Sequence, residues 1–296
     1  SKIVFINSMV KTVKRLNQFF RDCKIDYKIF LLMRQDMADD LNKSNNFNKV
    51  LNSNSIRLNW AYNKKIPVMK QPLTQMIIKK IKYSNPVFYD MNDKEIYDSI
   101  LPTYVSKRPL VKYIIDYSFG RPRDFVMLLN TIKSNFGKYS KIKTPYVTNS
   151  IPEYSNSFYK ELENEINRSP NNAMLRDGLL LIKDNQLITF TLEDLTKTYE
   201  KDPERYIAIN NSQMISHCMK ELYRYNVVGT SSKIIDENGD EKSVVEFYYR
   251  DNVISNPDLS NYLSVHFALR SALNVIAQNK NHINMWFLFW APKSRI

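Results

Sequence analysis

Few side chains in this sequence stand where they could do covalent chemistry. His217 precedes Cys218, but no second pair of ligands has zinc spacing and no Ser-His-Asp order can be drawn, so the pair reads as structural. Cys23 is the only other cysteine, which excludes a disulfide framework and leads us to expect a reducing, cytoplasmic compartment. The five glycines form neither GxxxxGK[ST] nor GxGxxG, so the chain has no complete phosphate-cradling loop of its own. What remains is electrostatic. Arg34 and Asp36 follow an apolar run, Gly120-Arg121-Pro122-Arg123-Asp124 opens a helical stretch, and Lys220, Arg224 and Lys233 lie in the C-terminal half. Arg34 either points over the end of a strand toward an anion or pairs with Asp36 or Asp39. Arg121 and Arg123 either reach for a ligand or pair with Asp116 and Asp124.

The charge balance narrows the partners. Among 296 residues, 43 Lys plus Arg stand against 30 Asp plus Glu, a formal charge of +13. The first 150 residues hold 27 of the basic and 11 of the acidic side chains, the remainder 16 and 19. A basic half names the part that would meet a polyanion, although a Lys-, Asn- and Tyr-rich composition also follows from AT-rich coding. No apolar run approaches the roughly 18 residues of a membrane span. The chain starts at Ser1 and not Met, as expected of a trimmed start or an excised fragment.

The elements that must position these residues read as follows. Ile3, Ile6, Val10, Val13, Leu16, Phe19 and Phe20 make one face of a helix. Tyr27 to Met33 is a short apolar run with the look of a strand buried on both faces, as in a parallel sheet. Helical stretches are expected over 70–83, 93–100, 108–118 and 121–136, divided by Pro86, Pro102 and Pro109, and again over 146–168, where Glu161, Glu163 and Glu165 read as a solvated face. A helix near 173–183, a short strand-like run, Thr191 capping a helix over 192–199, a longer helix begun by Asn211 or Ser212, and two β runs (232–235 and 243–249) joined across Asn238-Gly239 follow the order of a winged helix-turn-helix. A closing helix over 263–276 and an apolar finish, 285–290, complete the chain. The fold class is mixed and mainly α. The expected domains are 1–66, 67–145 and 146–296.

Three signatures in order carry a resemblance: the run ending Phe30-Leu31-Leu32-Met33-Arg34-Gln35-Asp36, then Ile56-Arg57-Leu58-Asn59-Trp60, then Gly120-Arg121-Pro122-Arg123-Asp124-Phe125. Together they resemble bacterial P-loop ATPases of the STAND and AAA-like kind, in which an α/β nucleotide-binding core precedes a helical lid and a winged helix. The resemblance begins late in that pattern. It implies that this is the C-terminal portion of a larger ATPase: a remnant of the α/β core, a helical lid, and a winged-helix domain with a closing helix and apolar tail. It implies a nucleotide-binding set of Arg34, Asp36, Gly120, Arg121, Pro122 and Arg123, with Arg34 at the sensor position and Pro122 approaching the adenine ring. ATP or ADP with Mg²⁺ would be the cofactor only together with the absent P-loop, and no turnover is expected of this chain alone. Stress or phage-defence switching is the context implied.

In a winged helix the second helix of the turn motif enters the major groove. Lys220, Arg224 and Lys233 are the nucleic-acid-binding candidates, although the acidic tip 236–240 would repel phosphate and suits an internal lid instead. A freestanding winged-helix DNA-binding protein, such as a plasmid-type replication initiator, is the alternative function. Partners expected are nucleic acid through the basic half, a second copy or an upstream ATPase region, and no membrane.

Overall fold

The first helix, α1 (Lys2–Asp22), forms where the three-and-four spacing places it and ends in a turn that takes Lys24 to a φ of 56°. The segment after it does not become a strand. Among the described residues of 27–33 no ladder pairing exists. The side-chain amide of Asn17 donates to the Ile29 carbonyl (2.9 Å) and accepts its N–H (2.8 Å), supplying from α1 what a neighbouring strand would. Tyr27, Phe30 and Leu32 are 77, 73 and 88% exposed, so the buried strand expected from this run is corrected to an extended, solvent-facing segment. Apolar residues in a row satisfy the composition of a central strand, but with no adjacent strand to hydrogen-bond they have no sheet to enter.

The computed structural model describes residues 2–33, 38, 53–56, 58, 60, 65–138, 141–235, 241–248 and 257–276. It divides into two units, Ser1–Asn59 and Trp60–Ile296. Arg34, Asp36, Arg57, the hairpin tip 236–240 and the apolar finish 285–290 lie outside the described residues.

The second unit begins with four helices. Helix α2 (Pro72–Ser84) starts with proline at N1, where the missing N–H costs nothing. Helix α3 (Asp93–Ile100) carries a full capping box between Asn92 and Glu95. A two-residue antiparallel ladder, β1 (Tyr104–Val105) with β2 (Arg108–Pro109), then leads into α4 (Leu110–Asp116) and α5 (Pro122–Phe136). The hairpin replaces the start of the helix expected over 108–118. Pro109 has no N–H to give a helix interior, and the backbone N–H of Leu110 bonds to Thr103 instead.

Helix α6 (Thr144–Ile166) buries Val147, Tyr154, Phe158, Leu162 and Ile166, largely one per four residues, against α5. After it come α7 (Asn172–Asn185), β3 (Thr189–Phe190), α8 (Leu192–Lys201) and α9 (Ser212–Arg224). Thr191 caps α8 in a capping box with Asp194, and Asn211 caps α9 through the Met214 N–H, as their positions in the sequence suggest. Strands β4 (Val228–Ile235), β5 (Glu241–Glu246) and β6 (Tyr262–Val265) complete an antiparallel sheet in the order β3-β6-β4-β5.

The expected closing helix over 263–276 is therefore corrected: it begins as β6, a central strand, and continues as a 3-10 turn at Phe267–Leu269. Leu263, Val265, Ala268, Leu269 and Leu273 have helical spacing, but β3 and β4 each offer a ladder edge that only a strand can satisfy. His266 then caps the 3-10 turn, its Nδ1 accepting the Ala268 N–H at 3.2 Å. One continuous apolar core extends from Leu73 to Val275 through this unit. The class is mainly helical with small sheets, as expected.

Candidate functional site

The segment that opens α5 is built by local necessity. Gly120 adopts a φ of 68°, a left-handed conformation that an L side chain enters only at a cost of about 1–2 kcal/mol. Its N–H donates to Ser118 Oγ at 3.1 Å, and the chain then extends through Arg121 so that Pro122 occupies N1. Asp124, three residues past the cap, turns back and accepts the Phe119 N–H at 2.9 Å. Its carboxyl is buried, and burial pushes its pKa above the usual aspartate value against the opposing pull of Arg121, the Phe119 N–H and Arg123.

The two arginines pair only in part as the sequence suggests: Arg123 meets Asp124, but the closer contacts of both lie elsewhere. Arg121 reaches Glu165 on α6 with both guanidinium nitrogens, at 2.8 and 3.3 Å, and its guanidinium lies 5.1 Å from the Phe119 ring centre. Arg123 bridges Glu165 and Glu161, each at 3.1 Å, and passes 3.5 Å from Asp124. Asp116 pairs instead with Lys112 at 2.8 Å and Arg108 at 3.2 Å. Glu161 and Glu165, which read as part of a solvated face, are the partners that fix the turn. Their signal in the sequence is the i, i+4 interval that stacks two carboxylates on one helix face.

Pro122 and Arg123 also face an open groove of about 600 Å³ between α2, α5 and α6, lined further by Met76, Lys80, Val126 and Asn130. Of the residues expected to bind nucleotide, the structure thus brings Gly120, Arg121, Pro122 and Arg123 together at one turn. Arg34 and Asp36 fall outside the described residues.

Another face of α6 holds the segment that follows β6. Ser155 is fully buried, donates to the Ala268 carbonyl at 2.5 Å and accepts the Ala272 N–H at 3.0 Å. The neighbouring Tyr154 hydroxyl donates to the Tyr117 carbonyl at 2.5 Å. His266 stands edge-on to Phe119 and stacked with Phe158, so aromatic packing joins the residue before Gly120 to α6 and to the end of β6.

The nucleic-acid candidates are separate from this turn. Lys220 and Arg224 lie on α9. Arg224 pairs with Glu221 at 2.5 Å within the same helix, and Lys233 belongs to β4 opposite Ser243. Cys218, beside His217, is buried against α7 and donates to the Met174 carbonyl. Burial, then the nearby Asp177 and Glu221, pushes its thiol up to about 12, despite a hydrogen bond from the Gly178 backbone. Among the described residues no cluster of His, Cys, Asp and Glu is arranged to hold a metal ion, and no helix is long and apolar enough to cross a membrane.

Comparison with curated proteins and with solved structures finds no match. A family described as the FunZ-associated C-terminal helical domain matches residues 71–163, the stretch from the start of α2 through most of α6 that contains the Gly120 turn and Glu161 and stops two residues before Glu165.

Proposed function

We propose that this chain is the regulatory C-terminal region of a P-loop ATPase switch, in which the Gly120–Asp124 turn senses nucleotide state and α6 passes it to the winged-helix segment. The observation that carries the reading is the double attachment of α6. Glu161 and Glu165 grip the turn through both arginines, while Ser155 hydrogen-bonds to the backbone on either side of residues 269–271. Any ligand that displaces the turn must then work against, or through, the same helix. The match to a C-terminal helical domain over 71–163 supports the placement of a lid there.

The chain's residues fit one end of a nucleotide better than the other. Pro122, Val126 and Met76 offer apolar surface to a purine in the groove, with Asn130 and Lys80 beside it. Arg121 and Arg123 are already ion-paired, so in this reading they position the lid and the phosphates with their Mg²⁺ are held by a P-loop outside this chain.

Hydrogen exchange on the native polypeptide, with saturating Mg-ATP, Mg-ADP or neither, tests the proposal. Amide protection at 119–124 and at 266–272 is expected to change together with nucleotide state, and Ser155→Ala to abolish the second change while sparing the first. Identical exchange in all three conditions at both segments defeats the reading.

A further inference from the structure

The segment that follows α1 has one edge occupied and one open. The Asn17 side chain meets both the N–H and the C=O of Ile29, which a single amide can do only where the two groups point the same way, as they do in a strand. Backbone groups alternate between the two edges of an extended chain, so those of Lys28, Phe30 and Leu32 face the edge away from Asn17. Among the described residues none of them has a hydrogen-bond partner.

The side chains alternate as well. Ile29 is 37% exposed and Leu31 and Met33 are partly covered, whereas Phe30 and Leu32, on the opposite face, are 73 and 88% exposed. Lys28 shares that outer face, its ammonium 5.3 Å from the Phe30 ring centre. At about 100° per residue, Asn17 is followed round α1 by the partly covered Val13 and Phe20, then by Leu16, Phe5 and Phe19, which are 39, 66 and 55% exposed. Asn17 holds the closed edge, so this apolar strip lies toward the open one.

The surface is large enough to matter. With about 200 Å² per large side chain, Leu16, Phe5, Phe19, Phe30 and Leu32 leave about 600 Å² of apolar surface open beside the unpaired edge. A stable interface buries about 800 Å² per partner, roughly two-thirds of it apolar in homodimers. A lipid surface or a helix would cover the side chains and leave the backbone groups of Lys28, Phe30 and Leu32 unsatisfied, whereas a strand answers both needs. A second copy brings that strand together with the same apolar strip, and two-fold symmetry sets each against its match. Antiparallel pairing centred on Phe30 places Phe30 opposite Phe30 and Lys28 opposite Leu32. Every open backbone group of the three residues is then paired, and the two Lys28 side chains stay about 14 Å apart along the strands.

We propose that residues 28–32 pair antiparallel with the same residues of a second copy about a two-fold axis at Phe30, with the open strip of α1 packed beside them, and that the chain is a dimer through this face. The inference concerns the first unit alone and stands independently of the nucleotide-switch reading.

The test is sedimentation equilibrium of the intact chain over about 1–100 μM, where an interface near the lower limit of stable size dissociates. A dimer of the 35.0 kDa chain is expected. Leu32→Lys sets a second ammonium opposite Lys28 and should weaken the dimer about tenfold or more, while Leu32→Glu meets Lys28 with opposite charge and should weaken it less. Leu32 is exposed within one copy, so neither variant threatens the fold. In a Cys23→Ser background, oxidation should link Phe30→Cys to its symmetry mate, with Cα atoms about 5.5 Å apart, and leave Leu32→Cys, about 14 Å from its mate, unlinked. Equal cross-linking from the two positions, or Leu32→Lys tolerated as well as Leu32→Glu, overturns the register and the proposal with it. A monomer throughout overturns it too: binding to phosphatidylserine vesicles would then assign the face to lipid, and no binding would assign it to a different polypeptide.

Discussion

Replacing Glu165 separates two ion pairs that share an acceptor but differ in burial. Arg121 meets it with two hydrogen bonds, at 32% exposure for the arginine and 21% for the glutamate side chain, whereas Arg123 meets it with one at 54%. At an effective dielectric near 20, opposite charges about 4 Å apart attract by about 4 kcal/mol before desolvation and side-chain ordering are subtracted. For the bidentate, part-buried pair a net of about 1–1.5 kcal/mol remains. For the exposed pair solvent screening leaves about 0.5 kcal/mol or less. A double-mutant cycle built from Arg121→Ala, Glu165→Ala and their combination, followed by urea unfolding, should return the larger coupling. The parallel cycle with Arg123→Ala should return the smaller one, and raising salt should erase most of it. Glu165→Ala alone should lower the melting temperature of a unit this size by roughly 4–8 °C. A coupling for Arg123 equal to that of Arg121, or both below about 0.3 kcal/mol, would refute the clamp.

Three further outcomes follow from burial. Ser155→Ala orphans the Ala268 carbonyl and the Ala272 N–H at once and should cost about 2–4 kcal/mol in a urea titration; a loss under 1 kcal/mol would mean water takes over both bonds. Gly178 lies where α7 meets α9, and a Cβ there would collide with Cys218 Sγ and sit 2.9 Å from Leu222 Cδ1, so Gly178→Ala should destabilise by about 1–3 kcal/mol. For Asp124, a folded pKa raised above 3.8 means stability is greatest at low pH and is lost as pH rises above that value. Asp124→Asn keeps an acceptor for the Phe119 N–H without the buried charge, so its unfolding midpoint should vary less as pH rises from about 4, the ordinary aspartate value, and at pH 7 should match or exceed the parent. A loss above about 1 kcal/mol at pH 7 would show that the arginines outweigh burial.

The helices were the legible part of the sequence, and for local reasons. Proline at N1 of α2 and α5, Asn92 before α3, Thr191 before α8 and Asn211 before α9 each act within one turn, so their effect is written in adjacent residues. Of the misread segments, the start of the helix expected over 108–118 is stopped locally by Pro109, while the other two depend on distant chain. Residues 27–33 have a strand's composition but no neighbour strand, and 262–265 have a helix's spacing but two. At the candidate site, Gly120 and Pro122 were readable because they answer a backbone demand. The identity of the arginines' partners was not, since Glu165 is 44 positions from Arg121 and nothing near either residue records that interval.

The position of the attachments along α6 bears on how a signal would travel. Ser155 and Glu165 are ten residues apart, which at about 1.5 Å and 100° per residue places them about 15 Å distant and on different faces of the helix. Glu165 faces the Gly120 turn and Ser155 faces the segment after β6, so the two contacts do not compete for the same surface. A helix held on two faces responds to a push at one end by rotating or sliding as a body, because its packed core row, Val147 to Ile166, permits discrete shifts and resists local bending. Breaking the Glu165 contact should therefore leave 266–272 attached to α6 but deaf to the turn, while breaking the Ser155 contact should leave the turn intact and free the far segment. The two lesions act at the middle and at the C-terminal end of one rod, and their distinct exchange patterns separate transmission through α6 from two unrelated local effects.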